Sequence, residues 1–147
     1  DVLKGKPVGH NVIVVGGGLV GTETALFLSQ KGKRVVLIEM LDDIVQDAGS
    51  LSRARLKEDL KVTDIEVKCG TRVSEIGETA VSVVSPDGGE HVIPAETVVL
   101  AAGSEAENTL YRDLEGRVPE LYAIGDCVAP RKLLEAIHEG YAVALKI

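Results

Sequence analysis

Aromatic side chains are scarce in this sequence, and it has no excess of positive charge. Its 147 residues include no tryptophan, one phenylalanine and three tyrosines. Base-stacking platforms and aromatic ligand cages both need more aromatic residues than this. The formal net charge is -7, so no basic surface is available to neutralise many backbone phosphates. We therefore expect no nucleic-acid partner.

Cysteines and long apolar runs are scarce as well. Cys69 and Cys127 are the only cysteines, and they are too few and too far apart to form a Cys-x-x-Cys pair or an iron or zinc site within the chain. No apolar run reaches the roughly 20 residues that span a bilayer, and the start of the chain has no signal-peptide core. We expect a cytoplasmic protein with no metal site and no membrane partner.

The chain opens with a pattern typical of a parallel α/β sheet. An apolar run at residues 12–15 ends in three glycines, a helical pattern covers residues 19–30, and a second apolar run follows at residues 35–38. Strand, glycine turn, helix and strand within about 30 residues make a βαβ unit.

The rest of the chain predicts further elements. Residues 47–60 indicate a partly exposed helix, whose apolar anchors are Leu51, Ala54, Leu56 and Leu60. Short strands are predicted at residues 65–67, 97–101 and 121–124, an antiparallel meander at residues 71–94, and an amphipathic helix from Arg131 onward. The predicted fold is α/β: a Rossmann-like dinucleotide-binding domain with a parallel sheet and a β-meander, followed by an appended strand and helix.

The glycine turn carries a dinucleotide fingerprint. Gly16, Gly18 and Gly21 fit G-x-G-x-x-G directly after a strand and at the start of a helix. The first glycine permits the tight turn, the second leaves space for a pyrophosphate at the helix N-terminus, and the third allows close packing of helix and strand. The neighbouring residues complete the predicted NAD(H) site: Gly17, Leu19, Val20, Met40 and Gly103.

Glu39 favours NADH over NADPH. It follows the second strand, where an acid accepts hydrogen bonds from the adenosine ribose hydroxyls and repels a 2'-phosphate. Lys33 and Arg34 lie just upstream and leave open an interaction with that phosphate.

No catalytic residue is assigned. His10, His91 and His138 have no neighbour in sequence that makes a nucleophile and base pair. In enzymes that use NAD(H), the cofactor carries out the hydride chemistry and the protein positions it.

Three segments together resemble a known family: "NVIVVGGGLVGTETALFLSQKGKRVVLIEM", "TVVLAAGS" and "VPELYAIGDCVAPRKLLEAIHEGYAVALKI". They are similar to the C-terminal part of the iron-sulfur flavoproteins related to 2-enoate reductase, 2,4-dienoyl-CoA reductase and trimethylamine dehydrogenase. The resemblance implies an NAD(P)-binding domain inserted into a FAD-binding domain. It also implies that Gly125 and Asp126 contact FAD in the parent enzyme. Without the resemblance, Asp126 is equally well interpreted as a helix N-cap.

The resemblance implies a domain organisation for a fragment. Residues 1–10 are a leader from a preceding domain, residues 11–104 bind NAD(H), and residues 105–147 return to an incomplete FAD-binding domain. The chain lacks a second glycine fingerprint, the barrel that carries FMN and substrate, and the cysteines of an iron-sulfur cluster. FAD, FMN and the cluster are therefore expected in the full-length parent, and the isolated chain is expected to be inactive.

The final helix needs a partner for its apolar stripe of Leu134, Ile137, Tyr141 and Leu145. We expect residues 121–147 to pack on the chain's own sheet, on the remainder of the parent enzyme, or on a second copy in an isologous or swapped dimer.

Two functions remain open. The leading hypothesis is a fragment of a flavin-dependent oxidoreductase that passes hydride from NADH to FAD, within a parent that reduces an enoate or enoyl thioester or oxidises an amine. The alternative is a non-catalytic module that binds NAD(H) or ADP. A methyltransferase or a short-chain dehydrogenase is disfavoured, because the meander fits neither and the Tyr-x-x-x-Lys pair of the latter is missing.

Overall fold

A computed structural model describes residues 2–147, with the backbone alone for residue 3. The chain forms two compact units, Asp1–Gly103 and Ser104–Ile147. After a 3₁₀ turn (Val2–Lys4), the strands and α-helices of the first unit are, in chain order, β1 (Asn11–Val15), α1 (Leu19–Gln30), β2 (Arg34–Ile38), α2 (Ser50–Lys61), β3 (Glu66–Lys68), β4 (Arg72–Ile76), β5 (Ala80–Val84), β6 (Glu90–Pro94) and β7 (Thr97–Leu100).

Four of these strands form one parallel sheet with the order β3-β2-β1-β7. The apolar runs of β1 and β2 suit its centre, because strands buried on both faces need hydrophobic residues at every position. Strands β4, β5 and β6 form a separate antiparallel sheet. The predicted α/β fold with a parallel sheet and a meander is therefore confirmed.

The side chains of β1 alternate between two cores. Val12 and Val14 pack with Ala25 and Leu28 of α1 in the first core. Ile13 packs in the second core with β2 and with the meander. The parallel sheet thus has helices on one face and the meander on the other, which leaves the edge at the ends of its strands open for a site.

Helix α2 differs from its prediction at its start. It begins at Ser50, three residues after the predicted start at Asp47. Leu60 is buried and Leu56 is partly buried, as expected of anchors, but Leu51 is 85% exposed and Ala54 is exposed as well. The predicted anchors Leu51 and Ala54 are therefore wrong, because only the C-terminal half of α2 turns its apolar side toward the core.

The second unit contains α3 (Thr109–Leu114), a 3₁₀ turn (Gly125–Cys127) and α4 (Leu133–Ala144). Helix α4 confirms the predicted final helix, whereas α3 was not predicted. The predicted strand at residues 121–124 is wrong, since no strand is formed there. A strand needs a neighbour for its backbone groups, and the described residues of this unit form no other strand to supply one.

Within the part of the chain that the structure describes, no helix has both the length and the apolar character needed to cross a membrane.

Candidate nucleotide-binding site

A cavity of about 530 Å³ opens where the carboxyl ends of β1, β2 and β7 meet. Small-molecule sites have this size and this position in open parallel sheets. The cavity is lined by residues 15–18, 38–41, 43, 45–47, 71–73 and 101–103. These segments include the glycine turn and the predicted residues Glu39, Met40 and Gly103.

Side chains have no space at Gly16 in the glycine turn or at Gly21 in the first turn of α1. Gly16 has φ +106°, and a Cβ there would lie 2.4 Å from the carbonyl oxygen of Ala101. A Cβ on Gly21 would lie 1.8 Å from the carbonyl oxygen of Gly16. Glycine at these positions therefore lets the turn fold tightly and lets α1 pack against it.

Glu39 binds the glycine turn itself. Its side chain is buried at the end of β2. Oε2 accepts a hydrogen bond from the Gly17 N–H at 2.6 Å, and Oε1 accepts one from the Leu41 N–H at 2.8 Å. The carboxylate lies at the cavity, and two backbone donors already hold it. Hydrogen bonding to a ribose therefore stays a prediction.

Asp47 was not predicted as part of the site. Its two carboxylate oxygens lie 2.9 and 3.2 Å from the N–H of Leu19, in the first turn of α1. An acid is stabilised there because the first N–H groups of a helix lack helical partners and carry partial positive charge. Sequence offered a weak signal, an acid in the loop after the second strand, but no local rule connects that loop to α1.

The same loop is held by a backbone hydrogen bond and two ion pairs. The Val45 N–H donates to the carbonyl oxygen of Gly17 at 2.7 Å, and the buried Val45 has φ +55°, a conformation that β-branched residues rarely adopt. Asp43 forms ion pairs with Arg53 and with Lys57, the latter at 2.6 Å. The hydrogen bond from Lys57 is the main reason why the pKa of Asp43 falls from 3.8 to about 2.

The other predicted site residues differ in where they lie. The Leu19 N–H donates to Asp47 beside the glycine turn, whereas the exposed side chain of Val20 lines a different cavity, beside β7. Met40 is 68% exposed at the rim of the nucleotide cavity. Gly103 has φ +104° and follows the end of β7.

Lys33 and Arg34 lie at the opposite end of β2 from Glu39. Five residues of strand separate these ends, which is roughly 16 Å at about 3.3 Å per residue. Lys33 Nζ donates to the carbonyl oxygen of Val8 at 3.0 Å. A 2'-phosphate near Glu39 would therefore not meet them, and the cation that does line this cavity is Arg72 of β4.

Gly125 and Asp126 lie in the 3₁₀ turn of the second unit. Gly125 has φ +67°, and its N–H donates to Glu139 Oε2 of α4 at 2.6 Å. This bond and the contact with Arg131 lower the pKa of Glu139. Asp126 Oδ1 lies 3.5 Å from the Arg131 N–H. Helix α4 begins later, with Lys132 as its N-cap, so the alternative interpretation of Asp126 as that cap is wrong.

Other candidate groups lie apart from the cavity lining. His91 is exposed on β6 and His138 on α4, while His10 immediately precedes β1. Cys69 and Cys127 are free thiols, and burial raises the pKa of the Cys69 thiol. Among the described residues, no group of three or more His, Cys, Asp or Glu side chains is arranged to hold a metal ion.

Comparison with known proteins reveals several long relatives. The chain is 36% identical over 176 residues to the metal reductase of Desulforamulus reducens, covering 99% of this chain and 26% of the relative. It is 38% identical over 151 residues to the cinnamate reductase of Clostridium sporogenes, covering 100% of this chain and 23% of the relative. The chain therefore spans about a quarter of the length of these relatives.

A solved structure gives the same relation. A 2-naphthoyl-CoA reductase in complex with 2-naphthoyl-CoA matches with a TM-score of 0.87 and 30% sequence identity, over 100% of this chain and 23% of that one. Residues 1–142 match the family of pyridine nucleotide-disulphide oxidoreductases. Because this match includes the glycine turn, Glu39 and the 3₁₀ turn, the chain belongs to the pyridine nucleotide-disulphide oxidoreductase family.

Proposed function

We propose that this chain is the NADH-binding part of a larger flavin-dependent oxidoreductase. The observation that carries the proposal is the convergence of the glycine turn, the N-terminus of α1 and Glu39 at one cavity, at the carboxyl edge of the parallel sheet. First-turn N–H groups of α1 would hold the pyrophosphate, and Glu39 would accept hydrogen bonds from the ribose. NADH, when bound, supplies the hydride.

The charges around the cavity support NADH over NADPH. Glu39, Asp43 and Asp47 all lie on its lining, and a 2'-phosphate would bring two further negative charges toward them. Arg72 opposes this effect because it is a cation on the same lining. We propose that the carboxylates outweigh it, because three of them lie on the lining and Glu39 follows β2, where an acid would meet the ribose 2'-hydroxyl.

The names of the relatives support a parent that is an oxidoreductase of the 2-enoate reductase type. A cinnamate reductase and a 2-naphthoyl-CoA reductase both match this chain over its full length. We propose that the parent carries FAD, FMN and an iron-sulfur cluster outside this chain, that Gly125 and Asp126 contact the FAD, and that the isolated chain is inactive. The other contacts of residues 121–147 would be made with the remainder of the parent, or with a second copy.

Calorimetric titration of the 147-residue chain with NADH, NADPH, ADP and FAD tests the proposal. We expect one NADH per chain, weaker binding of NADPH, and no tight binding of FAD. Tight binding of FAD would overturn the assignment of the site, and binding of no nucleotide would overturn a competent NADH site. Equal affinity for NADH and ADP would favour the alternative, a non-catalytic module, because the nicotinamide half would then contribute nothing.

A further inference from the structure

We infer that Asp47 occupies the place that a dinucleotide pyrophosphate needs, so the chain competes with its own ligand. Movement of the exposed Asp47 side chain away from α1 would then precede binding. This inference rests on the proposed function, because it concerns the regulation of the same site. Asp47 is neither part of the glycine fingerprint nor the acid that follows β2, which is Glu39.

The geometry places the carboxylate directly over the glycine turn. Besides meeting the N–H of Leu19, the two oxygens lie 3.2 and 3.4 Å from the position that a Cβ on Gly18 would take. That position is the space that the second glycine of the fingerprint keeps open for a pyrophosphate. A carboxylate and a pyrophosphate cannot share it, since both are anions that seek the same N–H donors.

The segment that carries Asp47 is suited to local movement. Gln46, Asp47 and Gly49 are exposed, whereas Ala48 is half-buried against the first core, so the movement is confined to Asp47. The residues before the segment are fixed, because Val45 is buried and bonded to the glycine turn and Asp43 is held by its two ion pairs. Asp47 can therefore leave the N-terminus of α1 while Val45 keeps its contacts.

Removal of the carboxylate should tighten the binding of ligands that contain a pyrophosphate. We compare the wild-type chain with Asp47→Ala by calorimetric titration with NADH, ADP-ribose and adenosine. The dissociation constants of NADH and ADP-ribose should fall by about tenfold in Asp47→Ala, equivalent to about 1.4 kcal/mol. Adenosine, which has no phosphate, should bind both chains equally.

Asp42→Ala is the matched control. Asp42 is an exposed acid in the same loop, and Oδ1 of Asp42 accepts a hydrogen bond from the Gln46 side chain at 3.2 Å. Its loss removes the same charge without freeing α1, so the affinity for NADH should change by less than about twofold. A gain as large as that of Asp47→Ala would overturn the inference in favour of general electrostatics.

Asp47→Asn is a second variant of the same residue. It keeps a hydrogen-bond acceptor and should tighten binding less than Asp47→Ala. If the alanine variant does not fold, a gain in affinity for NADH in Asp47→Asn alone decides the question.

The outcomes separate the inference from the proposed function. Unchanged or weaker NADH binding by folded Asp47→Ala, beside clear binding by wild type, would overturn the inference and leave the function standing. Failure of every folded variant to bind NADH or ADP-ribose would overturn both. Binding by Asp47→Ala alone would support the inference and would overturn a competent NADH site in the wild-type chain, because self-competition would then mask the site completely.

Discussion

At the scale of single residues, backbone groups determine the shape of the candidate site. The glycine turn donates its Gly17 N–H to Glu39 and accepts a bond from the Val45 N–H on the Gly17 carbonyl. The buried Thr22 hydroxyl adds a bond to the same carbonyl oxygen at 3.2 Å. These contacts fix the turn before any ligand arrives, which limits the entropy that binding would cost.

Replacement of the third fingerprint glycine should unfold the turn. In Gly21→Ala the new Cβ meets the Gly16 carbonyl oxygen at 1.8 Å, a backbone atom that cannot move without displacing β1. We expect a loss of at least about 3 kcal/mol in the free energy of unfolding, measured by urea denaturation. Gly49→Ala is the control, because its Cβ meets nothing and its φ is -63°; a similar loss in both variants would contradict the packing role of Gly21.

Because of Asp43, the free energy of unfolding should depend on pH in the acid range. Its pKa is lowered from 3.8 to about 2 in the folded chain, mainly by Lys57. The contribution of the carboxylate to stability is therefore present above the unfolded pKa near 3.8 and is lost as the pH falls through about 2. Asp43→Asn should lower the urea midpoint at neutral pH, and its difference from wild type should shrink between about pH 4 and pH 2.

The exposed Asp113 provides the comparison for that experiment. Asp113→Asn removes an equal charge from the second unit and should leave the urea midpoint nearly unchanged at every pH. A pH-independent difference between wild type and Asp43→Asn would show that the ion pairs with Arg53 and Lys57 do not stabilise the fold.

At the scale of secondary structure, the meander covers the face of the parallel sheet that α1 leaves free. Val81 and Val83 of β5 are fully buried and share a core with Ile13 of β1 and Ile38 of β2. The outer positions of β4 and β6 are exposed, whereas those of the central strand β5 are partly buried. The meander therefore supports β1 and β2 from the side opposite the helices.

An alanine substitution on the buried face of the meander, and another on its exposed face, test that role. Val83→Ala removes two buried methyl groups and should cost about 1 to 3 kcal/mol of the free energy of unfolding. Val92→Ala on β6, where the side chain is 68% exposed, should change it by less than about 0.5 kcal/mol. Equal effects in thermal or urea denaturation would mean that the meander does not pack on the parallel sheet.

Local patterns predicted most elements, and tertiary contacts explain the failures. The apolar runs and the glycine turn located β1, α1 and β2 to within one residue, because each has its own period and stop signal. Residues 121–124 have the composition of a strand but form none, since pairing depends on a neighbour. The contact of Asp47 with Leu19 joins residues 28 apart in sequence, and no local rule predicts it.

At the scale of the whole molecule, the described residues contain a candidate dinucleotide site. The chain spans about a quarter of the length of the relatives that it matches. We propose that binding and chemistry are separated in the parent: this part would position NADH, and the flavins of the parent would accept the hydride. The apolar side chains on α4 that are exposed in this chain include Leu134, Ile137 and Tyr141. We propose that they contact the remainder of the parent or a second copy.

We propose that the glycine turn and the N-terminus of α1 bind NADH. An NMR titration that follows the backbone amides of the 147-residue chain as NADH is added tests this binding. We expect the largest saturable shifts at Gly17, Gly18 and Leu19, with further shifts at Glu39 and Asp47. Shifts centred on the opposite end of the sheet, near Lys33, or no saturable shifts at all, would contradict it.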